Sequence, residues 1–158
     1  MSRKIEYTAT LFWDPGPDGT ADVRRYSRDH TVMAGDKPPL AGSADSAFRG
    51  DDNRWNPEEL LVAAMAQCHM LWYLYLAATE GVVVVGYEDN PHGTLEIEAD
   101  GVGRFTEITL HPTVTVQDES GASIAAGLHE RAHELCFVAN SVNFPVHVDR
   151  TVHISEPA

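Results

Sequence analysis

The chain of 158 residues has little positive charge and almost no cysteine. Its 11 Lys and Arg stand against 24 Asp and Glu, which gives a formal net charge of −13. A nucleic-acid binder needs a basic face for phosphates, and anionic membranes attract basic segments, so the composition argues against both kinds of partner. The first residues lack the apolar core of a secretory signal, and we therefore expect a cytoplasmic protein.

Only two cysteines occur, Cys68 and Cys136. In the cytoplasm, such a pair is more often reduced or redox-active than a structural disulfide. The two cysteines are either an attacking and a resolving thiol or two unrelated thiols of the core. A reactive thiol needs a cation or hydrogen-bond donor for its thiolate. His69 points about 100° away from Cys68 around a helix, so the arginines before the helix are the candidate cations.

One long uncharged run is present, from Leu60 to Thr79. Asn56 is a favoured N-cap, Pro57 suits the first helical position, and Glu59 can close a capping box, so we predict a helix that begins here. The run is long enough to span a membrane, but it contains polar residues and no basic loop flanks it, which favours a core helix. A single subunit of this size could hardly cover it on every side, which predicts a homodimer.

The rest of the chain has no internal repeat and no linker, so we predict a single domain over residues 1–158. Strands are predicted over 4–13, 23–33, 82–87, 94–98, 106–116 and 144–154, and a second helix over 120–133. The segment 35–55 is predicted to be a loop. This order of elements predicts an α+β fold, with mostly antiparallel sheets around the long buried central helix.

A histidine pair on the predicted second helix suggests zinc as an alternative chemistry. His129 and His133 are four residues apart with Glu130 between them, as in helices where two imidazoles hold zinc and a glutamate activates water. A catalytic zinc needs a third protein ligand. Cys136 is a candidate, but its position three residues after His133 is not that of an established zinc site. We therefore predict no metal and a solvent-exposed histidine pair. A zinc hydrolase that uses His129, Glu130 and His133 is an alternative function.

The head of the first helix and the two cysteines resemble a known family. The segment Asn56-Pro-Glu-Glu-Leu-Leu-Val-Ala-Ala, with Cys68 ten residues after Glu58, and the segment Ala132-His-Glu-Leu-Cys136 are similar to signature segments of the OsmC/Ohr family. That family comprises osmotically inducible protein C and the organic hydroperoxide resistance proteins. Residues 68–74 resemble a less studied branch of this family rather than either of these two groups. The resemblance covers nearly the whole chain and implies an OsmC-like fold in an intertwined homodimer, with two active sites at the subunit interface.

The function implied by the resemblance is a thiol-dependent peroxidase of the stress response, which reduces organic hydroperoxides without a metal or organic cofactor. By position, Cys68 attacks the peroxide and becomes a sulfenic acid. Cys136 condenses with it to a disulfide, which a dithiol reductant then reduces. Glu58 is the family glutamate, and Arg49 is the expected arginine. The alternative arginines lie in the earlier hairpin: Arg24, Arg25 and Arg28.

Glu58 and Cys68 lie about 15 Å apart along one helix, too far for direct contact. We therefore expect Glu58 to act from the partner subunit, or through an arginine that pairs with a carboxylate while it donates to the thiolate. Phe137 follows Cys136 where the family commonly has proline. Candidate walls of an apolar peroxide pocket are Phe48, Trp55, Met65 and Trp72. The other alternative function is a non-catalytic dimer of the same fold, which binds a ligand or serves as a scaffold.

Overall fold

The computed structural model describes residues 1–156, which contain two helices, α1 and α2, and nine strands. The chain divides into two compact units, and the second begins at Leu61. The single domain predicted over residues 1–158 stays a prediction. Two helices with mixed and antiparallel sheets confirm the α+β class.

The first unit contains a small antiparallel sheet in the order β1-β2-β3. Its strands are β1 (Thr10–Phe12), β2 (His30–Met33) and β3 (Leu40–Gly42). The strand predicted over 23–33 is shorter than expected, because the Asp22 carboxylate accepts the Arg24 N–H at 2.8 Å and turns the chain locally. The predicted loop over 35–55 contains β3 and a short 3₁₀ helix, Ser46–Phe48.

Helix α1 (Pro57–Thr79) begins where the sequence predicts it. The Glu59 N–H donates to Asn56 Oδ1 at 2.8 Å, and the Asn56 N–H donates to Glu59 Oε2 at 3.3 Å. This reciprocal pair is the predicted capping box. At the other end, Gly81 adopts φ 73°, a left-handed conformation that glycine tolerates, and the Val82 N–H donates to the Ala77 carbonyl at 2.9 Å.

One face of α1 is buried within the chain, and the opposite face is open. The buried residues are Met65, His69, Tyr73, Leu76 and Ala77. Leu71 and Tyr75 are 57% and 60% exposed. The helix is long and apolar enough to cross a membrane, a property that core helices of soluble proteins share. The chain alone therefore does not cover α1 on every side.

The second unit contains two three-stranded sheets. The first has the order β4-β7-β9 and the second the order β5-β6-β8. β4 pairs with β7 and β5 with β6 in antiparallel fashion, whereas β6–β8 and β7–β9 are parallel. The strands are β4 (Val84–Asp89), β5 (His92–Ile97), β6 (Gly103–Leu110), β7 (Pro112–Val116), β8 (Val146–Val148) and β9 (Thr151–Ile154). Helix α2 spans Glu119–Leu135.

Two predicted strands, over 106–116 and over 144–154, were wrong as single elements. The first breaks at His111, whose N–H donates to the Asp89 carboxylate at 2.8 Å, and Pro112 then opens β7. The second breaks at Asp149 and Arg150, between β8 and β9. Because the Asp149 N–H donates to the Leu110 carbonyl at 2.8 Å, the chain leaves one sheet and enters the other at this point.

The buried side chains of the second unit form two clusters. The larger is made by α1, α2 and the sheet β4-β7-β9, and it includes Tyr73, Val114 and Leu128. The smaller consists of Met65, Ile108, Leu110 and Cys136, with the half-buried Cys68 packed against it. The apolar face of α1 thus places one cysteine at the edge of the core that contains the other.

Candidate active site

The two cysteines lie on different helices and pack together. Cys68 is in the middle of α1 and half-buried, whereas Cys136 is the C-cap of α2 and only 1% exposed. Both thiols are free. The Ala139 N–H donates to Cys136 Sγ at 3.4 Å, which fixes this sulfur against the following 3₁₀ turn, Ala139–Ser141. The structure therefore brings together the two thiols that the sequence singled out.

The environment of Cys136 disfavours its thiolate. The pKa of the Cys136 thiol is raised to about 11, mainly because the thiol is buried; the Ala139 N–H lowers this pKa and the neighbouring Cys68 raises it. Cys136 is therefore a protonated thiol at neutral pH. It is both less accessible and less nucleophilic than a solvent-exposed cysteine with an ordinary pKa.

Cys68 opens into an apolar cavity of about 400 Å³. The lining residues are Cys68, Leu71, Trp72, Tyr75 and Phe137. The Trp72 ring contacts the rings of Tyr75 and Phe137 edge to face, with centroids 5.9 and 5.4 Å apart. Such a lining suits an apolar ligand with a reactive group at the sulfur.

Of the predicted pocket walls, only Trp72 lines this cavity. Met65 is fully buried in the core, and Phe48 and Trp55 are exposed residues of the first unit. Leu71 and Tyr75 are walls that were not predicted, although they follow Cys68 by three and seven residues and so share its helix face. Phe137 was not predicted either, and its position next to Cys136 was the available signal.

Glu58 and the candidate arginines belong to the first unit, and their roles stay predictions. Glu58 is half-buried in the first turn of α1, and its carboxylate has no hydrogen bond or ion pair within residues 1–156. Arg49 ends the short 3₁₀ helix with φ 67°, and its exposed guanidinium likewise has no partner in that range.

The hairpin arginines differ from one another. Arg24 and Arg25 are exposed, whereas the Arg28 guanidinium lies 3.7 Å from the centre of the Tyr26 ring and donates to the carbonyls of Tyr26 and Val23. Arg28 is thus held by its own loop. Arg54, which the sequence analysis did not single out, pairs with carboxylates at 3.4 and 3.9 Å, those of Asp29 and Asp51.

Comparison with known proteins decides the family. The family model described as OsmC-like protein matches residues 50–150, which contain both cysteines and the capped helix. The chain belongs to the OsmC/Ohr family. Among curated proteins, none matches this OsmC-family chain in sequence.

Solved structures of other family members are similar over nearly the full length. An OsmC-like protein of unknown function from Vibrio cholerae is 30% identical, with a TM-score of 0.84 over 93% of this chain and 99% of that one. An organic hydroperoxide resistance protein from Elizabethkingia anophelis is 18% identical, with a TM-score of 0.69 over 98% and 100%. One from Legionella pneumophila is 20% identical, with a TM-score of 0.66 over 95% and 99%. The OsmC-like fold is thereby confirmed.

The predicted solvent-exposed histidine pair is wrong for this OsmC-family chain. His129 is 1% exposed and faces α1, where its Nδ1 lies 3.0 Å from His69 Nε2. The pKa of His69 is lowered to about 4, mainly by burial and also by charge on His133. The pKa of His129 is lowered to about 3, mainly by burial and also by charge on His69 and Arg150. Both imidazoles are therefore neutral at pH 7.

The same geometry leaves the zinc alternative without a site. In the described part of the chain, no group of three or more His, Cys, Asp or Glu side chains is placed to hold a metal ion. His129 uses one ring nitrogen for His69, so it and His133 do not form the expected isolated pair. The donor set does not fit a catalytic zinc, which needs three protein ligands.

Proposed function

We propose that this protein is a thiol-dependent peroxidase that reduces organic hydroperoxides, with Cys68 as the attacking thiol. The supporting observation is a half-buried thiol at the wall of an apolar cavity, packed beside a second, buried thiol. An apolar cavity accommodates the organic part of a hydroperoxide while its O–O group meets the sulfur. The names of two similar structures, organic hydroperoxide resistance proteins, agree with this substrate class.

The proposed reaction uses the two thiols in sequence. The Cys68 thiolate attacks a peroxide oxygen, so that an S–O bond forms, the O–O bond breaks, and the leaving alkoxide takes a proton to become an alcohol. The Cys136 sulfur then attacks the sulfenic acid. An S–S bond forms, the S–O bond breaks, and hydroxide leaves with the proton of Cys136 as water. A dithiol reductant restores both thiols by two exchange steps and becomes a disulfide itself.

The high pKa of the Cys136 thiol agrees with a resolving role. A buried, protonated thiol does not compete with Cys68 for the peroxide, because the thiolate is the nucleophile. It reacts only with an electrophilic sulfur formed next to it. The burial of Cys136 therefore supports the proposed order of the two steps.

We further propose that Arg49 links Glu58 to the Cys68 thiolate in a cytoplasmic homodimer. A guanidinium can bind a carboxylate and donate another N–H to a thiolate or peroxide oxygen. Neither side chain has an ionic partner within residues 1–156, which leaves both available for this contact. No metal or organic cofactor is required by these steps.

The deciding experiment measures turnover of cumene hydroperoxide with dithiothreitol. Wild-type protein should turn over, and Cys68→Ser should lose activity to the uncatalysed rate. When dithiothreitol is left out, Cys136→Ser should consume one equivalent of peroxide and stop as a sulfenic acid, because no second sulfur is then present to displace water. Equal activity in wild type and Cys68→Ser would contradict the proposal.

The non-catalytic alternative is tested on the same samples. After one equivalent of peroxide, intact-mass analysis under non-reducing conditions should show the loss of two hydrogen atoms in wild type, because a disulfide forms. An unchanged mass would favour a ligand-binding or scaffold dimer instead.

A further inference from the structure

A buried imidazole pair joins the two helices that carry the cysteines. His69 Nε2 and His129 Nδ1 lie 3.0 Å apart, the ring centroids lie 5.3 Å apart, and the two ring planes are nearly parallel, with 5° between them. Each residue is 1% exposed. His69 follows Cys68 directly on α1, and His129 lies seven residues, about two turns, before Cys136 on α2. The reaction proposed above uses neither imidazole.

The polar contacts around this pair fix how the two helices lie against each other. Tyr73, one turn after His69, stacks on the His129 ring at a centroid distance of 4.1 Å, and its hydroxyl donates to the Ala125 carbonyl at 3.1 Å. The surrounding cluster is apolar, and apolar packing is non-directional. Hydrogen bonds need both a defined length and a defined angle, so they set the helix register.

Packing alone does not account for two imidazoles at this place. His69 Nδ1 and His129 Nε2 are buried and have no hydrogen-bond partner within residues 1–156. A buried polar atom without a partner is destabilising, whereas two apolar side chains of similar size would avoid that loss. Apolar packing is therefore not the reason for an imidazole at either position.

We propose that His69 and His129 are positioning residues for the disulfide between Cys68 and Cys136. Their hydrogen bond holds α1 and α2 in the register in which the Cys136 sulfur reaches Cys68. A disulfide needs Cα atoms within about 7 Å and a narrow range of torsion angles. A displacement of about 1 Å can slow a reaction between two groups by about 10²-fold. The inference rests on the proposed function for its natural oxidant, but the geometry applies to disulfide formation by any oxidant.

The first test is equilibrium with a glutathione redox buffer, which needs no peroxide. Reduced protein and oxidised glutathione give the intramolecular disulfide and two reduced glutathione molecules, and the equilibrium constant is read by mass. His69→Leu, which keeps the volume and removes the hydrogen bond, should lower that constant about tenfold. His69→Gln should keep most of the wild-type equilibrium constant, because the side-chain amide can occupy the position of Nε2 and form the hydrogen bond to His129.

The second test measures sulfenic acid formation and disulfide condensation after one equivalent of cumene hydroperoxide is added. In His69→Leu, Cys68 should form its sulfenic acid at the wild-type rate and condense more slowly, so that dimedone traps more of it. Val114→Ala is the control, because it removes two methyl groups from the larger core cluster and leaves both imidazoles in place. His129→Phe, which keeps a ring against Tyr73, serves as a second loss variant if His69→Leu does not fold.

Each outcome has a defined meaning. Wild-type equilibrium and condensation in His69→Leu or His129→Phe would overturn the positioning role, and so would a loss in His69→Gln as large as in His69→Leu. Failure of peroxide to oxidise Cys68 in wild type would instead contradict the proposed function, and the glutathione equilibrium would still decide the role of the histidines.

Discussion

At the scale of single residues, burial assigns different chemistry to two identical side chains. Cys68 is half-buried and open to an apolar cavity, whereas Cys136 is 1% exposed and its pKa is raised to about 11. The difference arises because a low-dielectric surrounding disfavours the charged thiolate. The sequence identifies both cysteines but gives no measure of their burial, which depends on residues far away in the chain.

We expect iodoacetamide to modify Cys68 well before Cys136. At pH 8 a thiol of pKa about 11 is ionised to roughly one part in a thousand, so its alkylation should be slow and should accelerate about tenfold per pH unit up to that pKa. Peptide mass analysis over time gives both rates. With Arg49 in the role proposed above, as the cation for the Cys68 thiolate, Arg49→Ala should slow the alkylation of Cys68 about tenfold.

The exposed Arg104 on β6 supplies the control for that measurement. Arg104→Ala changes the net charge by the same amount and should leave the alkylation rate of Cys68 unchanged. Faster modification of Cys136 than of Cys68 in wild type would be incompatible with the assigned order.

At the scale of helices and strands, interactions between residues close in the sequence are sufficient to predict α1. The ends of several strands depend on contacts between residues that are far apart in the sequence. The capping box of Asn56 and Glu59 depends on residues three apart, so the sequence shows it and the structure contains it. The breaks at His111 and Asp149 depend on acceptors in other strands, which spacing does not reveal. The partner of His69 is 60 residues away, and for that reason the histidine pair was predicted on the surface.

Acid should weaken the contact between α1 and α2. Unfolded histidine has a pKa of about 6.5, whereas the folded values are lowered to about 4 for His69 and about 3 for His129. The unfolded chain therefore binds more protons below about pH 6.5, and the free energy of unfolding falls as the pH falls from there towards 4. Each histidine contributes at most about 1.4 kcal/mol per pH unit to this fall in the free energy of unfolding.

Urea unfolding at pH 7, 6 and 5 measures this effect. The double variant His69→Leu, His129→Phe should lose less stability between pH 7 and 5 than wild type does, because it has no buried imidazole to protonate. His153→Gln, on the exposed side of β9, is the matched control and should retain the wild-type slope. Identical slopes in all three proteins would show that the pair does not titrate in this range.

At the scale of the whole molecule, the wall of the Cys68 cavity is also an exposed apolar surface of the second unit. Leu71, Tyr75 and Phe137 are 57%, 60% and 66% exposed. Exposed apolar groups that cluster on one surface are typical of protein interfaces. The predicted homodimer would cover this surface and narrow the entrance to Cys68.

We expect Tyr75→Glu to weaken the dimer. A charge placed among aromatic side chains at the centre of an interface costs at least about 2 kcal/mol, which is roughly a 30-fold increase in the dissociation constant. Light scattering after size-exclusion chromatography, over a dilution series, gives the mass. Ile124→Glu, at a 43% exposed aliphatic residue of α2, is the control. A monomeric wild type, or equal weakening by both variants, would contradict the expected interface.

The division of the last strand region between two sheets has a consequence for folding. β8 pairs with β6 at Ile108↔Val146, and β9 pairs with β7 at Thr113↔Thr151, so each pairing closes a loop of 38 residues that includes α2. The entropy of closing a loop grows with its length and is lost once for a given loop. After either pairing has formed, only short links separate it from the other: His111 between β6 and β7, and Asp149 with Arg150 between β8 and β9. The two sheets are therefore joined by one act of loop closure, which makes their completion cooperative.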